Sequence, residues 1–167
     1  MLTKSCVIAA LAGAGASWSL AASAEMPDAI AAGGETVVLQ VHAEGAQIYE
    51  CKADASGKLA WQFREPIASL FNEGKTVGRH YAGPNWEIDG GAVVGKIVGR
   101  APGVSSKDIP WLKLEATEHR GSGPLKDVTT VQRINTRGGN AEGACQKAGE
   151  LHSEPYSADY VFLRKGG

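Results

Sequence analysis

Sulfur and charge of one sign are scarce in this 167-residue chain, which has three cysteines, two methionines, and 17 basic residues against 18 acidic ones. Near-balanced charge argues against nucleic acid or an anionic membrane as the main partner, because either needs a basic excess to bind. The cysteines, at 6, 51 and 145, form no C-x-x-C pair, and the histidines, at 42, 80, 119 and 152, form no H-x-H or H-x-x-x-H pair. No local metal site follows, and none is assigned. No G-x-G-x-x-G opens a helix and no G-x-S-x-G elbow occurs, so neither a dinucleotide nor any other cofactor is expected. Gly90 to Lys96 approaches a phosphate-binding loop, but Ile97 stands where magnesium ligation needs Ser or Thr. No apolar run reaches the roughly 20 residues of a membrane-spanning helix, so the mature chain should lack a span.

The first residues have the form of a secretory leader. Lys4 supplies the positive start, Val7 to Ala16 a short apolar stretch, and Ala22-Ser23-Ala24 a small-residue cleavage site. Residues 1–24 are therefore expected to be a cleaved signal peptide and 25–167 a single domain, periplasmic or secreted. Loss of Lys4 leaves 16 basic and 18 acidic residues, a net charge of −2 with neutral histidines. Cys6 goes with the leader. Cys51 and Cys145 remain, and two cysteines in an exported chain read as one disulfide, with two free thiols or a shared metal as the alternatives.

Beyond a Gly33-Gly34 break, apolar and polar residues alternate with the period of two that marks a half-buried strand. Val37, Leu39 and Val41 share a face; Glu44-Gly45 then looks like a turn into a second strand, Ala46 to Lys52. Leu59, Trp61 and Phe63 define a third strand and its core side. Pro66 interrupts the pattern, and Ile67, Leu70 and Phe71 have the spacing of one short helical turn. From His80 to Gly99 the chain reads strand, Pro84-Asn85 turn, short strand, Asp89-Gly90 turn and return strand, Asp-Gly being a strong hairpin signal. Leu112, Leu114 and Ala116 face one way on a later strand, and Gly121 to Pro124 is a turn. Cys145 to Leu151 reads as short helix or coil, and Tyr156, Ala158, Tyr160 and Phe162 line a last strand. Eight to ten strands with at most short helical turns predict an all-β fold, either one antiparallel β-barrel or a two-sheet β-sandwich.

Polar and aromatic residues crowd His80 to Asp89, which makes it the first place to seek a site. Glu87 and Asp89 share a strand face, and paired carboxylates beside His80 could divide acid and base roles in a hydrolase or isomerase. Trp111 shares a face with Lys113, Glu115 and His119, a platform suited to a sugar or another flat small molecule. Tyr81 and Arg133 extend the candidate ligand surface, and Arg133 with Arg137 could capture an anion.

Several linked motifs carry a resemblance: A-Q-I-Y-E-C at 46–51, H-Y-A-G-P-N-W-E at 80–87, D-G-G-A-V-V-G at 89–95, V-Q-R-I-N-T-R-G-G at 131–139 and A-D-Y-V-F at 158–162. Together the sequence resembles domain of unknown function family 3455, exported proteins of bacteria and fungi. The resemblance implies no activity and no catalytic residue. The expectation is an exported, disulfide-tied β domain that binds a small molecule, a sugar or an envelope partner without catalysis. The competing classes are the His80/Glu87/Asp89 enzyme and a purely structural envelope or spore-coat-like protein.

Overall fold

The computed structural model describes residues 26–166; the expected leader and its cleavage site lie outside them. A 3-10 turn at Asp28–Ile30 precedes eight strands: β1 Glu35–Ala53, β2 Leu59–Asn72, β3 Lys75–Tyr81, β4 Asn85–Ile88, β5 Gly91–Ala101, β6 Trp111–Gly121, β7 Thr130–Gly138 and β8 Leu151–Lys165. Every strand pairs antiparallel with its neighbours in the chain, and β8 pairs back onto β1, closing one sheet into a ring of hydrogen bonds. Closure removes the free edges that an open sheet would expose. Among the described residues no helix is long and apolar enough to cross a membrane.

The Asp89-Gly90 turn expectation holds. Asp89 and Gly90 both have positive φ, 45° and 80°, as a two-residue hairpin between β4 and β5 requires. Glu73 and Gly74 do the same between β2 and β3, at 49° and 75°. The Pro84-Asn85 turn is shifted: the loop is Ala82 to Pro84, and Asn85 already pairs with Tyr81 across the β3–β4 ladder. Gly83 (φ 112°) supplies the bend, and the Asn85 amide donates to the Ala82 carbonyl at 2.6 Å.

Other expectations give way to tertiary pairing. Glu44-Gly45 is no turn; β1 runs through it, with Gly45 between Ala68 of β2 and Tyr156 of β8. A Cβ at Gly45 would strike the Ile67 carbonyl oxygen, so this glycine serves a close approach of two strands. Nor is there a helical turn after Pro66. β2 continues straight through it, and β3 begins to pair only at Ala68, so Pro66 has β1 alone beside it. Proline, lacking an N–H, is tolerated where one ladder is missing. Trp61 is only partly buried and Phe63 is 55% exposed, so this half of β2 lies outside the main core. Cys145 to Glu150 is turn and coil.

The ring is filled by the alternate side chains of the strands, with Val41, Leu70, Trp86, Ile88, Val93, Leu114, Val131, Tyr160 and Phe162 all essentially inaccessible. Trp86 meets Tyr160 and Phe162 edge-on, with centroids 5.3 and 6.2 Å apart. Leu125 and Val128, from the β6–β7 connection, close the end of the ring beside the β4–β5 hairpin. A second, smaller cluster forms on the outside, where Ile30 packs on Ala101 and Trp111 with Met26 and Ile134. Cys51 of β1 and Cys145 of the β7–β8 connection form a disulfide across a 94-residue separation.

Candidate functional site

Unequal strand lengths open the ring at one end. β3 and β4 are short, seven and four residues, while β2 and β5 on either side run to 14 and 11. Pairing of β2 with β3 stops at Ala68, and pairing of β5 with β4 stops at Val94. The wall is therefore low above Gly83 and Pro84, and a cavity of about 390 Å³ opens there, within the size range of small-molecule sites. Its apolar walls include Tyr49, Phe63, Trp86, Ile109, Leu112 and Leu114.

Register determines which polar groups enter. Arg100, Leu112, Arg133 and Tyr160 lie directly opposite one another on β5, β6, β7 and β8. Directly opposed residues point to the same face of a sheet, and Leu112 and Tyr160 are core residues, so both arginines point inward. Arg133 is braced by Pro110, whose carbonyl accepts from Nε at 3.1 Å and from Nη2 at 2.9 Å. Arg64 also borders the cavity, but its guanidinium is 3.1 Å from Glu65 and 3.9 Å from Glu50. Among the described residues, no aspartate or glutamate lines the cavity.

His80 is 3% exposed and stacks on Trp86 with centroids 4.6 Å apart. Its Nδ1 lies 2.8 Å from the Asn85 carbonyl oxygen, which can only accept, so Nδ1 carries the proton. Burial lowers its pKa to about 3, further lowered by the Arg133 charge and partly opposed by the Asn85 bond; the ring is neutral at neutral pH. Burial likewise raises the phenols of Tyr49, Tyr156 and Tyr160, with the Arg133 charge pulling all three back down. The Tyr156 and Tyr160 hydroxyls are 3.4 Å apart. Gln47 faces Tyr156 and Trp86 faces Tyr160. Yet Gln47 Nε2 and Trp86 Nε1, both buried, make no hydrogen bond of good geometry among the described residues.

The residues singled out in the sequence are dispersed. His80 points inward opposite Trp86, while Glu87 points outward opposite Arg79, which it binds at 2.9 Å. Tyr81 lies beside Glu87 on that outer face, under the Arg79 guanidinium at 4.8 Å, and accepts from Arg120 at 3.3 Å. Asp89 occupies the β4–β5 turn. The three groups of the enzyme reading therefore do not converge. Trp111 is no exposed platform: at 7% exposure it lies under the 3-10 turn. Lys113 Nζ donates to the Ala31 carbonyl at 2.7 Å, and Gln132 Nε2 to the Ile30 carbonyl at 2.6 Å, so the chain's own first segment sits on that surface. Glu115 is exposed farther along β6, and His119 Nε2 lies 2.7 Å from the Val128 carbonyl oxygen.

Of the ligand residues read from the sequence, Arg133 alone borders the cavity, along with His80 from the catalytic candidates. Gln47, Arg100 and Tyr160 were missed. Alternation places Tyr160 inside, but only strand register reveals that Arg100 and Arg133 share its row. A carboxylate–imidazole pair outside was missed as well: Asp159 Oδ1 lies 2.8 Å from His42 Nδ1, and Asn135, at φ 52°, donates to the other oxygen.

No curated protein and no solved structure is significantly similar to this chain. The model of the family described as Protein of unknown function (DUF3455) matches residues 31–164, from just before β1 almost to the end of β8, and the chain belongs to that family.

Proposed function

We propose that this protein is an exported binding domain that holds a small molecule in the open end of its strand ring and performs no chemistry on it. One observation carries the proposal: two buried donors, Gln47 Nε2 and Trp86 Nε1, face the Tyr156 and Tyr160 hydroxyls without a well-formed hydrogen bond among the described residues, and both side chains line a 390 Å³ cavity. Buried polar groups are nearly always hydrogen-bonded, and an orphaned one costs about 1–3 kcal/mol, so such a pair beside a void calls for a ligand to supply acceptors. A passive role fits the one imidazole present. His80 is neutral, its Nδ1–H is committed to a backbone carbonyl, and Glu87 is on the far side of the sheet. The Cys51–Cys145 disulfide is consistent with export, since such bonds persist in oxidising compartments.

Native mass spectrometry of protein purified from its own host tests the reading. The wild type should retain one small molecule, and Leu114→Trp, which fills the cavity from its wall, should be bare but still folded. A wild-type mass equal to that of the disulfide-bonded polypeptide alone would overturn it.

A further inference from the structure

The cavity has a charge character that the rest of the protein lacks. The sequence is close to neutral overall, yet among the described residues three arginines and no carboxylate line this one space. Arg64 is neutralised by Glu65 and Glu50. Among the described residues, no carboxylate lies within ion-pair distance of Arg100 or Arg133. Arg133 is half-buried, where an unpaired charge is costly, and its position is held by the Pro110 carbonyl. A guanidinium has five N–H donors in a rigid fork; Pro110 engages two nitrogens and the Tyr160 hydroxyl lies beside it, which still leaves donors for a ligand. Arg100 stands two strands away on the same row, roughly 10 Å from Arg133 in backbone spacing, at the exposed rim. Below this pair the walls are flat and apolar: the Trp86 indole, with Leu112 and Leu114 beside it.

We infer that the cavity is built for a small monocarboxylate with a flat apolar body, its negative end meeting Arg133 and Arg100 and its body lying against Trp86, Leu112 and Leu114. This rests on the proposed binding function and specifies its ligand class. Arg133 is pre-positioned before any ligand arrives, so binding orders one guanidinium fewer. Its charge already lowers the titration of Tyr49, His80, Tyr156 and Tyr160, which places it centrally among the cavity's polar groups. A neutral sugar would leave both guanidinium charges uncompensated.

A matched pair of probes tests it: 2-naphthoate and its neutral isostere 2-naphthamide, titrated calorimetrically at low salt. Charge-assisted bonds predict that naphthoate binds roughly ten- to a hundredfold more tightly than the amide. Arg133→Gln and Arg100→Gln should each shrink that ratio. Because Arg133 also braces Pro110, Arg100→Gln, at the exposed rim, keeps the test valid if the first variant folds poorly. Equal affinities for acid and amide would overturn the carboxylate assignment and leave small-molecule binding standing. If neither probe binds while the native mass spectrum retains a neutral molecule, the carboxylate assignment alone falls. If neither binds and the spectrum is bare, both fall.

Discussion

Replacing His80 with glutamine and lowering the pH isolates the cost of holding an imidazole inside the ring. The His80 side chain has a pKa near 6.5 when unfolded and about 3 when folded, because burial penalises its charged form. Between those values the unfolded chain binds a proton that the folded chain does not. Stability is therefore full above pH 6.5 and falls as the pH drops toward 3, at about 1.4 kcal/mol per pH unit for one group. From pH 6.5 to 4 the wild type should lose about 3 kcal/mol through this residue alone, a large part of a typical domain's stability. His80→Gln forfeits the stack on Trp86 and should start about 1–3 kcal/mol less stable at pH 7. Its profile should then be flatter, and the two curves should converge on acidification. Urea unfolding at pH 7, 6, 5 and 4, with the disulfide kept oxidised, measures both profiles. Contributions common to both proteins cancel in the difference. Parallel profiles, or an imidazole resonance of His80 titrating near 6.5 in the folded protein, would refute the reasoning.

Replacing both Cys51 and Cys145 with serine should lower the urea-unfolding free energy by about 4–5 kcal/mol in the chain-entropy limit for a 94-residue loop; an unchanged midpoint would mean that the bond constrains little. Two glycines should lose unequal amounts of stability on replacement by alanine in thermal melts. At Gly78 a Cβ would collide with the Glu87 carbonyl oxygen across the β3–β4 pair, and Gly78→Ala should cost about 2–3 kcal/mol or more. At Gly90 the added methyl meets nothing within 4 Å, and only the φ of 80° resists it, so Gly90→Ala should cost about 1 kcal/mol. Equal losses at the two sites would contradict the distinction between a contact and a backbone conformation.

Local chemistry was legible wherever it decides the outcome. The Asp89-Gly90 hairpin, the inward row Tyr156, Ala158, Tyr160 and Phe162, and the Cys51–Cys145 disulfide all follow from residue type and spacing. Reading failed where a neighbour overrides local preference. Gly45 has the composition of a turn, but its role depends on how closely β2 passes, which only pairing determines. Pro66 looks like a break because the missing third strand beside it is a property of β3's length. Trp111 looked like a platform because nothing in β6 announces that Ile30, about 80 positions earlier, will cover it. The cavity was the least legible part: its arginines belong to strands separated by an unremarkable leucine, and register alone unites them.

Seven of the eight strand pairings join segments adjacent in the chain, and only β1 with β8 must find each other across the full length of the domain. The disulfide ties the end of β1 to the approach to β8, so the covalent bond sits at the sole distant joint. Glu35 and Lys165 are partners in that ladder, which brings the start of one strand beside the finish of the other. A circularly permuted gene, with a short linker from Lys165 to Glu35 and new ends cut between Gly121 and Pro124, would turn the joint into an ordinary hairpin. In such a protein the two sulfurs would no longer guard the slowest encounter, and reduction should delay refolding far less than in the natural order.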